Sequence, residues 1–225
     1  MGRILGVLTR PRATMAAVVA EPSWVWVWLG CLATWAVLAA SLLSTAVGRQ
    51  ALVDERVRVV EAFGGTVDDA AYAALQAAPP VAAYLGGGGR LLLNPAVTLL
   101  VAAGLWVLAR ADGTRARPAQ ALAVAVHASV VLVVGQIVAT PLHYLRESLT
   151  SPTNLAVLVP ALDEGSLAAR FLGTIDVFGL WWTGLLAIGM AALTGRPARR
   201  YLVRLVGVYV AVAAVMATAL AVAGG

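Results

Sequence analysis

The chain has 225 residues, of which 61% are hydrophobic and only 12% are charged, and it carries a formal net charge of +5. An ordinary soluble domain has roughly twice that charged fraction, so the composition excludes a soluble globular protein and predicts a membrane domain. The basic residues are all arginines in short clusters beside apolar runs. This pattern has no extended basic face, and no nucleic-acid partner is expected.

We predict that the first 23 residues form a cytoplasmic segment at the membrane surface. Apolar residues recur at helical spacing on both sides of Pro11, which favours one or two short amphipathic helices on the inner leaflet. A disordered basic leader is the alternative. The first long apolar run begins only after Pro22 and is about twice as long as a signal-peptide core, so we expect it to be retained. The arginines expected to contact anionic lipid phosphates are Arg3, Arg10 and Arg12.

Five apolar stretches follow, each close to the roughly 20 residues that cross a hydrocarbon core about 30 Å thick. No soluble fold explains five such runs. The sequence therefore predicts an all-α, polytopic membrane domain over residues 24–225. The predicted transmembrane helices are 24–47, 91–109, 119–142, 171–193 and 201–222.

Residues 48–90 form a polar insert that we expect outside the cytoplasm. Helical apolar spacing over 52–63 predicts an amphipathic helix. A second, alanine-rich helix is expected next and should stop at the Pro79-Pro80 pair. The glycines at 86–89 then predict a flexible return to the membrane.

The arginines alternate between dense and sparse linkers, and this alternation predicts the orientation. Ten lie before span one, between spans two and three, and around the start of span five, whereas the other two linkers contain six among eight acids. By the positive-inside rule the N-terminus is cytoplasmic and the C-terminus, after an odd number of spans, is outside. At the start of span five, Arg199 and Arg200 are expected to contact lipid phosphates.

A layer of polar side chains is predicted in the outer third of the membrane. Asp176 falls about one and a half turns inside predicted span four, where an ionised carboxylate costs about 3 kcal/mol and requires a partner. Counting about 1.5 Å per residue from the outer ends of the antiparallel spans places other polar residues at similar depth. The predicted intramembrane cluster is Asn94, Gln136, Thr140, His143 and Asp176, with His127 and Ser129 as secondary members.

Two functions fit this layer, a proton or cation relay and recognition of a lipid headgroup. A set of interhelical hydrogen bonds is the structural alternative, favoured because no continuous series of charges crosses the membrane. No metal site is expected, since the two histidines share no metal-binding spacing and Cys31 is the single cysteine. No cofactor is expected either.

Small residues recur at three- and four-residue spacing within the predicted spans and favour close helix packing, inside the protein or between copies. The predicted ridges are Ala36, Ala40 and Ser44, and separately Gly184, Ala187 and Ala191, with Gly104, Gly135 and Gly207 as further candidates.

Three stretches resemble the Yip1-domain family of membrane proteins, especially its bacterial branch. They are residues 6–12 with Glu21-Pro22-Ser23-Trp24, then Ala-Val-His-Ala-Ser at 125–129, and Asp-Val-Phe-Gly-Leu-Trp at 176–181 followed by Leu185 and Gly189. The order of parts extends the resemblance to most of the chain. The Asp-Leu-Tyr-Gly-Pro motif of eukaryotic members is absent, so Rab binding is not carried over. The resemblance implies a five-helix, non-enzymatic membrane domain with a cytoplasmic N-terminus.

No catalytic residue is predicted, because no serine-hydrolase, phosphate-loop or paired-carboxylate motif occurs in the sequence. The leading interpretation is an integral scaffold or accessory subunit of a transport or trafficking assembly in the cell inner membrane. Its expected partners are anionic lipids and other membrane proteins or further copies. The alternative is a small transporter, channel or lipid-moving protein that uses the polar layer around Asp176. A membrane-shaping role for the N-terminal segment is a third possibility.

Overall fold

The computed structural model describes residues 2–163 and 165–223, with side chains for all of these except 80–92 and 223. Its regular structure is helical, apart from one isolated antiparallel bridge between Asn154 and Asp176. The all-α prediction is confirmed. In chain order the helices are α1 (Arg3–Thr9), α2 (Pro11–Ala20), α3 (Val25–Leu43), α4 (Ala46–Ala62), α5 (Asp69–Ala77), α6 (Pro80–Ala111), α7 (Pro118–Ala128), α8 (Val130–Arg146), a 3-10 helix (Leu155–Leu158), α9 (Leu167–Thr174), α10 (Val177–Thr194) and α11 (Ala198–Ala223).

Five helical segments of the described chain are long and apolar enough to cross a membrane, which agrees with the five predicted spans. They are Val25–Leu43, Leu93–Ala111, Pro118–Arg146, Val177–Thr194 and Ala198–Val222.

The chain divides into two compact units, each assembled from three stretches of sequence. The first unit contains Met1–Trp35, Arg90–Gly135 and Phe178–Val208. The second contains Ala36–Gly89, Gln136–Val177 and Tyr209–Gly225.

In the first unit, the short helices α1 and α2 pack against α7. Val7, Met15 and Val18 have no exposed surface, so these apolar side chains are covered by protein, whereas Ile4 and Leu5 of α1 are exposed. The Gln120 side chain donates a hydrogen bond to the carbonyl of Val19 over 3.0 Å, which joins the end of α2 to the first turn of α7. The sequence predicted one or two short helices here; the structure has two, and apolar residues of both form part of the core of this unit.

Helix α10 approaches α7 and α8 closely because glycines stand at the contacts. A Cβ atom built on Gly189 would lie 2.2 Å from a methyl group of Val124, and one on Gly135 would lie 2.7 Å from the Phe178 ring. Both distances are far below van der Waals contact, so only glycine fits at either position without displacement. Small side chains on both sides extend this close packing, since Ala121, Ala125 and Ala187 are also buried.

Polar contacts join α4 to α5 in the second unit. The Tyr72 hydroxyl donates to a carboxylate oxygen of Asp54 over 3.0 Å, and the Gln50 amide donates to both of these groups over 2.8 Å. Asp68 caps α5 by accepting from the backbone N–H of Ala71. The two predicted helices of the polar insert are therefore present and paired.

The structure departs from the predicted boundaries at three places. Residues 86–89 lie inside the helix α6, so the predicted flexible return is a continuous helix in the backbone. Span three is divided into α7 and α8 at Ser129, whose hydroxyl donates to the Val126 carbonyl, an interaction that bends helices. Span four begins at Val177 rather than at 171, because the preceding apolar residues belong to α9 and to an extended pair, Ile175 and Asp176.

Candidate functional site

Asp176 lies at the junction between α9 and α10, where the chain is extended. The backbone N–H of Leu155 donates to the Ile175 carbonyl over 2.8 Å, and that of Val177 donates to the Thr153 carbonyl over 3.1 Å. These bonds attach the loop that precedes the 3-10 helix to the start of α10. Asp176 therefore directly precedes α10. The sequence had placed it about one and a half turns inside this span.

Two hydroxyl groups of this loop donate to one carboxylate oxygen of Asp176. The Thr153 hydroxyl is 2.6 Å from Oδ2 and the Ser151 hydroxyl is 2.8 Å from the same atom. On the backbone side, the N–H of Asp176 donates to the Tyr209 hydroxyl over 3.1 Å. Loop, α10 and α11 thus converge on Asp176 within the second unit.

The other members of the predicted cluster have local partners. The Gln136 amide donates to the Thr140 hydroxyl over 3.2 Å, and that hydroxyl donates to the Gln136 carbonyl over 2.8 Å. His143 is 9% exposed, and its Nδ1 lies 2.8 Å from the Ser148 carbonyl. Asn94 belongs to the first unit, whereas the other four belong to the second. The cluster as a whole stays a prediction.

His127 is fully buried in the first unit. Its Nδ1 lies 2.8 Å from the Ala123 carbonyl, and because a carbonyl only accepts, Nδ1 carries the hydrogen. Among the described residues, two buried side-chain atoms have no hydrogen-bond partner, His127 Nε2 and Trp182 Nε1.

A second acidic site, which the sequence did not predict, lies directly after α6. The carboxylate of Asp112 accepts hydrogen bonds from the Tyr201 hydroxyl and from Arg200, both over 2.6 Å. Arg204 lies 3.3 Å from Oδ2, the carboxylate oxygen that also accepts from Tyr201, and Arg196 donates to the Asp112 backbone carbonyl over 2.8 Å. This set of residues, Asp112, Arg196, Arg200, Tyr201 and Arg204, is the arginine cluster.

The arginine cluster favours the ionised form of its acid. The hydroxyl of Tyr201 donates to the carboxylate, and Arg200, Arg204 and Arg196 add positive charge, so the pKa of Asp112 is lowered from its ordinary value. Only 7% of the Asp112 side chain is exposed, although Arg200 and Arg204 keep 38% and 40% of their side chains exposed. The sequence does contain a signal, since Asp112 is the one acid in a linker of arginines and Arg196, Arg200 and Arg204 recur every four residues.

The predicted lipid contacts differ in their surroundings. Arg3 donates to the Glu21 carboxylate over 3.0 Å and to the Ser23 hydroxyl over 2.9 Å, so its guanidinium links the start of α1 to the chain directly after α2. Arg200 belongs to the arginine cluster. Arg10, Arg12 and Arg199 are exposed. Lipid contact by these residues stays a prediction.

Five spans, with two short helices packed against one of them, define a polytopic all-α membrane protein. The described residues contain no group of three or more His, Cys, Asp or Glu side chains that would hold a metal ion. A family model described as the Yip1 domain matches residues 5–220, and the chain therefore belongs to the Yip1 domain family. No curated protein and no solved structure matches the chain.

Proposed function

We propose that this protein is a non-enzymatic scaffold or accessory subunit of a membrane transport or trafficking assembly. It lies in the cell inner membrane with a cytoplasmic N-terminus and an external C-terminus. Membership of a membrane protein family and five apolar helices support this placement. The arginine-rich linkers support the orientation.

The observation that carries the proposal is the uneven burial of the spans. In the span at Pro118–Arg146, 56% of the apolar window is buried within the described chain, whereas the figures are 6% for Val25–Leu43 and 11% for Ala198–Val222. Few residues of these two spans are fully buried in the described chain, so both spans leave surface for lipid or for other proteins. Small residues along Val25–Leu43 suit close contact with another helix.

Photo-crosslinking in native membranes tests this proposal. A photoreactive residue at Val37, which is 66% exposed, should yield discrete protein adducts, whereas the same residue at the buried Val131 should yield none. The reason is that only an exposed position on the span reaches a neighbouring protein. Lipid adducts alone at Val37, and likewise at the exposed Val212 and Val215 of α11, would overturn a scaffold role.

Cysteine labelling tests the orientation independently. In a Cys31→Ala background, an impermeant maleimide added to intact cells should label Thr66→Cys in the polar insert and leave Arg199→Cys unlabelled until the membrane is opened. Labelling of Arg199→Cys from outside would reverse the proposed topology.

The alternative of a transporter or lipid-moving protein depends on Asp176. Its carboxylate joins a loop to the start of α10, an arrangement that supports a structural role more than a transport role. Flux or lipid scrambling by reconstituted liposomes that disappears in Asp176→Asn would favour the alternative instead.

A further inference from the structure

We propose that the arginine cluster is a binding site for a phosphate group, that of an anionic phospholipid. Arg196, Arg200 and Arg204 supply the donors, and Asp112 holds them in place. Free phosphate could accept from the same arginine donors. The position of the cluster at the end of a span favours the phosphate of a lipid.

The charge balance of the cluster leaves it positive. The cluster contains three guanidinium groups and one carboxylate, which Arg200 and Arg204 contact directly, so two positive charges remain uncompensated by the residues of the cluster. A phosphodiester carries one negative charge and a phosphomonoester up to two, and either fits this excess.

The arginines are held in position before any ligand arrives. Each of them already uses an N–H group on Asp112, at 2.6 Å for Arg200, 3.3 Å for Arg204 and 2.8 Å for Arg196. A guanidinium has five N–H donors in a planar fork that matches phosphate in two-point contacts, so donors remain after the contact with Asp112. Since the side chains are already ordered, binding loses less conformational entropy than it would with free surface arginines.

The cluster lies at the end of a span, where lipid phosphates are expected. Arg196 precedes the span Ala198–Val222, and Arg200 and Arg204 occupy its first two turns. Tyr201 stands between them in sequence and is fully buried, with its hydroxyl on the Asp112 carboxylate. A long arginine side chain near a span end reaches toward this layer, where it meets phospholipid phosphates. The assignment to the cytoplasmic leaflet rests on the proposed orientation, whereas phosphate binding itself does not.

Lipid titration of the purified full-length protein tests the site. In mild detergent, short-chain phosphatidylglycerol, short-chain phosphatidylcholine and inorganic phosphate are added separately, and bound lipid is counted by native mass spectrometry. We expect phosphatidylglycerol to be retained in preference to phosphatidylcholine. Arg200→Gln and Arg196→Gln should each weaken its binding about fivefold, as expected for the loss of one basic contact. Because both leaflets are replaced by detergent, the result is independent of topology and of any protein partner.

Arg199→Gln is the matched control, because it removes the same charge from an exposed arginine that is not a member of the cluster. The proposal assigns lipid binding at this end of α11 to the arginine cluster and not to Arg199, so this variant should bind phosphatidylglycerol as tightly as the unmodified protein does. If Arg199→Gln and Arg200→Gln weaken phosphatidylglycerol binding equally, the binding depends on surface charge in general and the proposal is overturned. Binding of inorganic phosphate as tight as that of phosphatidylglycerol would overturn the lipid assignment. Arg196→Gln lies outside α11, so it reports on the site even if Arg200→Gln loses helicity by circular dichroism.

Discussion

The two compact units each contain an acid at the end of a transmembrane segment, and the two acids are held differently. Asp112 in the first unit has three arginines and a tyrosine hydroxyl around it. Asp176 in the second unit receives hydroxyl groups from Ser151 and Thr153. The first arrangement leaves excess positive charge in a position to bind an anion, whereas the second joins a loop to a helix.

The two units also differ in the contacts that hold their helices together. The first unit contains a core of small and branched apolar residues in which glycines allow helices to touch. In the second unit, polar contacts connect α4 to α5 and the loop at 151–154 to α10. We therefore expect substitutions that alter volume to matter most in the first unit and substitutions that alter hydrogen bonding to matter most in the second.

The largest effect is expected for Gly189→Ala. The new Cβ would lie 2.2 Å from a methyl group of Val124, which is itself fully buried, and overpacking of this kind costs about 1 to 3 kcal/mol. Thermal unfolding in detergent measures the loss. In the control Gly184→Ala nothing lies within 4 Å of the new atom, so its stability should be unchanged or raised by helix propensity. Equal stability of the two variants would refute the tight α7–α10 contact.

Thr153→Val should have the next largest effect. It removes the hydroxyl that donates to Asp176 over 2.6 Å while keeping the shape of the side chain, and one such hydrogen bond contributes about 1 kcal/mol. Unfolding of Thr218→Val, which loses only an exposed hydroxyl bonded within its own helix, provides the comparison. If both variants unfold alike, the Asp176 junction contributes little to the second unit.

Asp112→Asn should produce a loss of stability that depends on pH. The pKa of Asp112 is lowered in the folded protein by Tyr201 and then by Arg200, Arg204 and Arg196, so its contribution is present above the ordinary value of about 3.9 and disappears as the pH falls below it. We expect a Tm about 2 to 4 °C below that of the unmodified protein at pH 7 and a narrowing difference below about pH 4. A difference that stays constant down to pH 3 would contradict this assignment, and Asp163→Asn serves as an exposed-acid control.

The smallest effect is expected for Arg3→Gln. Its partner Glu21 keeps 84% of its side chain exposed, and ion pairs at such surfaces contribute less than about 1 kcal/mol. The α1–α2 pair should stay on α7, since Val7, Met15 and Val18 provide the buried contact. Protection of these helices from limited proteolysis is the measurement, and their release by this one substitution would show that the ion pair holds them.

Hydropathy predicted the number and approximate bounds of the spans because apolar length is a property of local sequence. It placed Asp176 inside a helix because residues 171–175 are mostly apolar, whereas in the structure backbone hydrogen bonds with Thr153 and Leu155 hold the chain extended there. The arginine cluster was missed because Asp112 and Arg200 are 88 residues apart in sequence.

The small-residue ridges show the same limit. Gly104, Gly135, Gly184 and Gly207 have similar sequence surroundings, yet only Gly135 among them stands against another side chain at a distance below contact. Which glycine permits close approach depends on the position of a neighbouring helix. Helical periodicity does not contain that information.

The hydrogen bond from Gln120 to Val19 spans 101 residues of chain and has a consequence for biosynthesis. At translation rates of about 5 to 20 residues per second, the first two helices leave the ribosome roughly 5 to 20 seconds before α7 exists to receive them. During that interval their apolar residues lack their partner helix and stay exposed unless a nascent-chain chaperone or the surface of the bilayer binds them. Slowing elongation before codon 118 should therefore lengthen the period in which a nascent chain is vulnerable to proteases.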